Sequence, residues 1–95
     1  MEPVDVAPTR FLLGQNYPNP VRDATTIAYE LPAAADVTLE LWDLLGRRVR
    51  VLLSGTQSAG LHNVSIDVND LPNGTYVYRL ESGSASETRR LVVAR

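Results

Sequence analysis

Apolar and polar residues alternate along most of this 95-residue chain. A period of two leaves little room for anything but a β fold, because only a strand points successive side chains to opposite faces. Thr26 to Leu31 puts Ile27, Tyr29 and Leu31 on one face, and Val37 to Trp42 does the same with Val37, Leu39 and Leu41. The pattern recurs at Val49 to Leu53, His62 to Val68, Tyr76 to Glu81 and Arg90 to Ala94. With a short opening strand over Arg10 to Leu13, the spacing predicts about seven strands, as in all-β sandwiches. No segment carries the sustained apolar stripe of a helix, and Ala33 to Ala35, between Pro32 and Asp36, is too short to form one.

The residues between the strands fit that outline. Asp43 can cap a turn through its carboxylate, and Gly46 three residues on supplies the positive φ of a bulged hairpin. Pro72-Asn73-Gly74 reads as a second turn, and Gly83 as a third before the last strand. Asn16-Tyr17-Pro18-Asn19-Pro20 is different in kind. Two prolines within five residues cannot join a hydrogen-bonded ladder, so the segment is an extended or tightly turned crossing. Tyr17-Pro18 is a candidate cis peptide.

Size and charge limit the function. Ninety-five residues make one domain that can bury an adequate core, and the absence of cysteine excludes disulfides, thiol chemistry and Cys-based metal sites. A net charge of −2 gives no reason to expect nucleic acid. No stretch approaches the ~20 apolar residues of a membrane span. Residues 1–9, acidic and containing Pro3 and Pro8, read as a linker or the start of a cloned segment, which leaves 10–95 as the folded domain. All nine basic residues are Arg.

Candidate chemistry is sparse. His62 is the single histidine, without a partner at triad or metal-ligand spacing, and its place after Gly60 suits a packing or hydrogen-bonding role at a strand edge. Asp67, Asn69 and Asp70 offer oxygens to a hard cation, but they lack the loop glycine and terminal Glu of an EF-hand and match ordinary turn chemistry. Asn63-Val64-Ser65 and Asn73-Gly74-Thr75 match the short glycosylation sequon. Trp42, Tyr76 and Tyr78 could make a sugar platform, although aromatics at alternate strand positions usually pack in the core. Arg47, Arg48 and Arg50 form a basic cluster whose plain reading is a solvated face. These residues assemble no catalytic, cofactor or metal constellation, so the chain is read as a non-enzyme without a cofactor.

The last stretch, Glu87-Thr88-Arg89-Arg90-Leu91-Val92-Val93-Ala94-Arg95, has core-strand composition carrying basic residues where domains usually fray. That suggests an end that is read by something else.

Phe11-Leu12-Leu13-Gly14-Gln15-Asn16-Tyr17-Pro18-Asn19-Pro20 resembles the opening motif of the type A C-terminal sorting domains of the type IX (Por) secretion system. Val37 to Val49, including Asp43 and Gly46, resembles that family's next strand and hairpin. Gly60-Leu61-His62 resembles its Gly-x-His element, and Pro72-Asn73-Gly74-Thr75-Tyr76 its Pro-x-Gly-x-Tyr element. Arg89 to Arg95 resembles its basic-apolar final strand. The likeness runs in order from about Arg10 to Arg95. It departs at Val21, where the family more often has Phe, and in using Arg where the terminal residues are more often Lys.

The resemblance implies an immunoglobulin-like Greek-key β-sandwich at the C-terminal end of a larger exported protein. Asn16, Pro18, Asn19, Pro20, Asp43, Gly46, Gly60, His62, Pro72, Gly74 and Tyr76 become its structural motif. Gly83, Arg89, Arg90, Leu91, Val92, Val93 and Arg95 become the sorting-signal candidates. The implied partners are the type IX outer-membrane machinery, a sortase-like peptidase and an N-terminal cargo domain of the same precursor. The implied route runs through the periplasm of a Bacteroidota-like bacterium to the medium or cell surface, with cleavage near the Pro-containing segment before Phe11. A terminal strand at a sheet edge would be recognised by β-augmentation, with Leu91, Val92 and Val93 filling pockets and the arginines fixing register. Two rival readings are a carbohydrate-binding accessory module and a structural immunoglobulin-like module resembling that of flagellar hook-capping proteins. Exposure of Trp42 with Tyr76 or Tyr78 would favour the first, and sequence continuing past Arg95 the second.

Overall fold

Seven strands and no helix make up the described residues, 10–95, of a computed structural model. The linker and the cleavage site expected before Phe11 fall largely in residues 1–9, outside the described residues. The strands are β1 (Leu12–Leu13), β2 (Ala24–Leu31), β3 (Ala35–Asp43), β4 (Arg48–Gln57), β5 (Gly60–Asp67), β6 (Gly74–Ser82) and β7 (Ala85–Val93). They form a three-stranded sheet ordered β1-β2-β5 and a four-stranded sheet ordered β4-β3-β6-β7, with antiparallel pairing between all neighbours. The chain changes sheet after β2, β4 and β5, and β6 then inserts beside β3. That is the Greek-key interleaving of an immunoglobulin-like sandwich.

The alternation seen in the sequence decides which faces meet. Ile27, Tyr29 and Leu31 of β2 face Val37, Leu39 and Leu41 of β3, with Ile66, Tyr78, Leu80, Leu91 and Val93 completing the core. Burying each such side chain contributes roughly 1.5–3 kcal/mol relative to exposure, so the sandwich holds without a disulfide. Tyr76 and Tyr78 belong to this core, whereas Trp42 lies on the opposite face of its strand. The three therefore form no sugar platform.

Turn chemistry follows the sequence closely. At the β3–β4 hairpin the Asp43 carboxylate accepts the Leu45 and Arg47 N–H groups at 2.9 Å each, and Gly46 sits at φ 83°. The Arg47 and Leu45 N–H groups, with the Arg47 guanidinium, hold the Asp43 carboxyl below its ordinary range against partial desolvation. Gly83 opens the two-residue β6–β7 turn at φ 58°, which a type II′ turn requires of its first central residue. The Tyr76 hydroxyl donates to the Pro72 carbonyl at 2.8 Å, making the tyrosine corner of such sandwiches. Pro72, Gly74 and Tyr76 are thus a single device for turning the chain into β6.

Three strands depart from the expected lengths. β1 keeps its expected end at Leu13 but begins only at Leu12, leaving Arg10 and Phe11 outside the ladder. β4 runs on to Gln57 and β7 starts back at Ala85, because partners in the neighbouring strands hold polar segments of low β propensity.

Candidate functional site

The opening motif and the last strand, more than seventy residues apart in sequence, meet along one flank of the sandwich. β7 ends the four-stranded sheet, yet its outer edge is occupied. Val92 donates its N–H to Asn19 Oδ1 at 3.0 Å, and its carbonyl accepts the Val21 N–H at 2.8 Å. The Ala94 N–H then donates to the Val21 carbonyl at 3.0 Å, a parallel bridge. Gln15 Nε2 donates to the Arg90 carbonyl at 2.6 Å. Residues 15–21 therefore lie along β7 as a strap in which amide side chains stand in for the backbone groups that proline lacks.

The strap is fixed at both ends. Asn16 is buried. Its backbone N–H donates to the Tyr78 hydroxyl at 2.7 Å, and its Nδ2 to the Pro18 carbonyl and Thr25 Oγ1 at 3.1 Å each. The Tyr78 hydroxyl in turn donates to the Gly14 carbonyl at 2.8 Å. Burial pushes that hydroxyl up to about 12, against smaller opposing pulls from the Asn16 N–H and the Arg89 charge. At the other end the Val21 side chain is wholly buried. Both X–Pro peptides between these anchors, Tyr17-Pro18 and Asn19-Pro20, are cis.

The three terminal arginines have different roles. Residues facing Leu91 and Val93 along β7 point inward, and Arg89 does so: its Nε donates to the Leu13 carbonyl at 3.0 Å. Glu87 accepts the Leu13 N–H at 2.8 Å, so these two β7 side chains close the free edge of β1. Arg95 caps the far corner, donating to the carbonyls of Leu71 (2.7 Å) and Val68. Arg90 points outward, is exposed, and makes no side-chain hydrogen bond or ion pair among the described residues. Leu91 and Val93 are core residues and Val92 is half-buried. Recognition of Leu91 and Val93 as pocket-filling knobs would need the sandwich opened, and strand addition at β7 would need the strap removed.

The remaining candidates are structural in their contacts. The His62 ring stacks on Tyr29 at 4.9 Å between centroids, and its Nε2 lies 2.8 Å from the Ser58 carbonyl. Gly60 opens β5 at φ 118°. The basic cluster is matched by carboxylates: Arg47 with Asp43, Arg48 with Glu40, and Arg50 with Asp70. The Arg50 contact holds the Asp70 carboxyl below its ordinary range. Asp67 Oδ1 accepts the Asn69 N–H in a local turn, so one oxygen each of Asp67 and Asp70 is engaged by a protein donor.

The sequence profile of the secretion system C-terminal sorting domain matches residues 15–94, from the start of the strap to the end of β7. The chain belongs to that family. Its known members are labels for type IX secretion, which implies export across the outer membrane of Bacteroidota-type bacteria, and the family is defined by sorting rather than by catalysis. The crystal structure of dimeric latent PorU from Porphyromonas gingivalis contains a region of the same fold, with a TM-score of 0.67 and 21% identity. That match covers 95% of this chain and 10% of PorU, so this chain spans about a tenth of that protein's length. No curated protein sequence matches the chain.

Sequence reasoning missed Gln15, Thr25 and Tyr78, whose hydrogen bonds build the strap of this sorting domain. It also treated Arg89 and Arg90 as equivalent. Strand parity carried the distinction, since neighbours on a strand face opposite ways.

Proposed function

We propose that the sorting domain is the export label of a larger precursor, and that the exposed guanidinium of Arg90 is the charge its receptor reads. The carrying observation is that Arg89, through Nε, and Arg95 each donate to a backbone carbonyl, while the Arg90 guanidinium makes no such bond among the described residues. The cargo lies N-terminal to residue 10, and a sortase-like peptidase cleaves in the extended segment before Phe11, releasing the cargo or transferring it to a surface anchor. The domain itself performs no chemistry on cargo or receptor.

Fusion to a passenger with a signal peptide tests this in a type IX-competent host. The wild-type domain sends the passenger into the medium or to the surface. Arg90→Glu leaves it in the periplasm with stability changed by no more than about 0.5 kcal/mol, as for other exposed substitutions. Arg89→Glu lowers stability, because it removes the donor to Leu13 and sets a second carboxylate near Glu87. Normal export of the Arg90→Glu fusion would remove the residue from the signal. Failure of the wild-type fusion would remove the sorting role.

A further inference from the structure

The strap closes the β7 edge, so a receptor that meets the folded domain needs another surface. We propose that the outer face of the four-stranded sheet docks a protein segment of the export machinery bearing an apolar side chain flanked by carboxylates. This rests on the sorting reading above and names the surface through which it acts.

Cross-strand register defines the face. Arg48 of β4 lies opposite Trp42 of β3, Trp42 opposite Val77 of β6, and Val77 opposite Arg90 of β7. Directly opposed residues share a face, so one row runs Arg48-Trp42-Val77-Arg90 across all four strands. The row has an apolar middle and a cation at each end. A third cation, Arg79, lies over the Trp42 ring at 5.2 Å. Two carboxylates stand among them: Glu40, 3.1 Å from Arg48 and 3.8 Å from Arg79, and Glu81, 3.6 Å from Arg79. Asp36, at the far end of β3 on the same face, brings the carboxylates to three against three arginines, but Arg90 alone has no counter-charge beside it among the described residues.

The same face is concave. Trp42, Asp43, Leu44, Gly46, Val77, Arg79 and Thr88 line a groove of about 270 Å³, with the Asp43 carboxylate paired to Arg47. That lies just below the ~300–1,000 Å³ of small-molecule sites and suits one or two side chains of a partner. Leu44 and Leu45 project at its end, 65% and 78% exposed, on a turn whose hydrogen bonds use Asp43, the Arg47 guanidinium and backbone groups but neither leucine side chain. Trp42 Nε1 is buried without a hydrogen-bond partner among the described residues, and Arg79 Nε faces Glu81 Oε2 at 3.6 Å. The Arg, Trp and Leu types on this face include the Trp and Arg that dominate protein-interface energies.

Substituting Val77→Glu tests the proposal by supplying the partner's carboxylate from within. A Glu there lies opposite Arg90 and two residues from Arg79 on the same face, so the domain stays folded while the unpaired Arg90 charge is neutralised. Export of a fused passenger falls at least about tenfold, the factor that about 1.4 kcal/mol of lost docking energy produces. The double variant Leu44→Ser/Leu45→Ser, which spares the strands, lowers export with an unchanged melting temperature. Ser65→Glu, on the outer face of the other sheet, exports normally. Wild-type export levels from both Val77→Glu and the double Leu variant overturn the proposal, as does an equal loss with Ser65→Glu. If Val77→Glu instead changes only the oligomeric state of the purified domain, the occupant is a second copy and the proposal falls. Failure of the wild-type fusion to export at all is a separate result, and removes the sorting reading on which this one rests.

Discussion

On the flank where β1 and β7 end their sheets, backbone groups that a free edge would expose are met one by one. Asn19 and Val21 hold Val92, Gln15 holds Arg90, and Glu87 and Arg89 hold Leu13. The opposite flank, where β4 and β5 end theirs, is tied by far less. Arg50 reaches the Asp67 carbonyl and pairs with Asp70, His62 reaches Ser58, and Leu61 and Val51 stand 73% and 45% exposed. Unpaired edges invite other strands, and this chain has concentrated its defence on one side. The two ends of the region that matches the family, residues 15–21 and β7, are spent on that closure. The contrast teaches that the terminal segment is presented as a locked, outward-facing row rather than as a loose strand, which moves the recognition question from the β7 edge to the face it borders.

The comparison breaks hardest at Tyr78. Its hydroxyl serves both the Asn16 N–H and the Gly14 carbonyl, so Tyr78→Phe strands two backbone groups at once. Each unsatisfied buried group costs about 1–3 kcal/mol, and the melting temperature falls by on the order of 10 °C or more in thermal unfolding. A pH series gives an independent check. The folded hydroxyl titrates at about 12, above the ~10 of an unfolded tyrosine. Between those values the unfolded chain binds fewer protons than the folded one, so stability is fully present below pH ~10 and declines as pH rises towards 12. The Phe variant lacks this part of the alkaline loss. An identical alkaline slope in both proteins would show that Tyr78 is not held in the closed flank as described.

A smaller effect is expected at Asn19. Asn19→Ala removes one acceptor from Val92 and leaves Val21 in place, costing about 1 kcal/mol and a few degrees of melting temperature. Hydrogen exchange sharpens the reading: the Val92 amide loses protection while Leu91 and Val93, bonded towards β6, keep theirs. Uniform loss along β7 would mean that the strap acts as one cooperative unit rather than bond by bond.

How legible all this was depends on the kind of contact. Period-two alternation revealed the strands because each has one wet and one dry face, and Asp43, Gly46, Gly83 and Pro72-Asn73-Gly74 marked turns through local backbone chemistry. The strap left no such trace. Its bonds join side chains to backbone groups across 62 to 75 residues, and distance of that kind has no periodicity. The one hint was negative: two prolines and two asparagines signal a segment that must satisfy hydrogen bonds outside a ladder. The different roles of Arg89 and Arg90 were legible in principle from parity with Leu91. The Arg48-Trp42-Val77-Arg90 row was not, because it needs the register of three strand pairs.

The open flank sets the lower bound of the comparison. Leu61 projects from β5 next to the free edge, and it contributes little to the core. Leu61→Ser removes exposed apolar surface in the folded and unfolded chain alike, so the transfer term that drives burial nearly cancels. The expected change is within about 0.5 kcal/mol in denaturant unfolding, as for surface positions without special contacts. Because β4 and β5 keep their edges open, the same change makes the domain less prone to self-association at high concentration, measured by sedimentation. A loss of stability comparable with that of Asn19→Ala would mean that Leu61 packs against a neighbour and that the second flank is closed as well, and the asymmetry would then have to be abandoned.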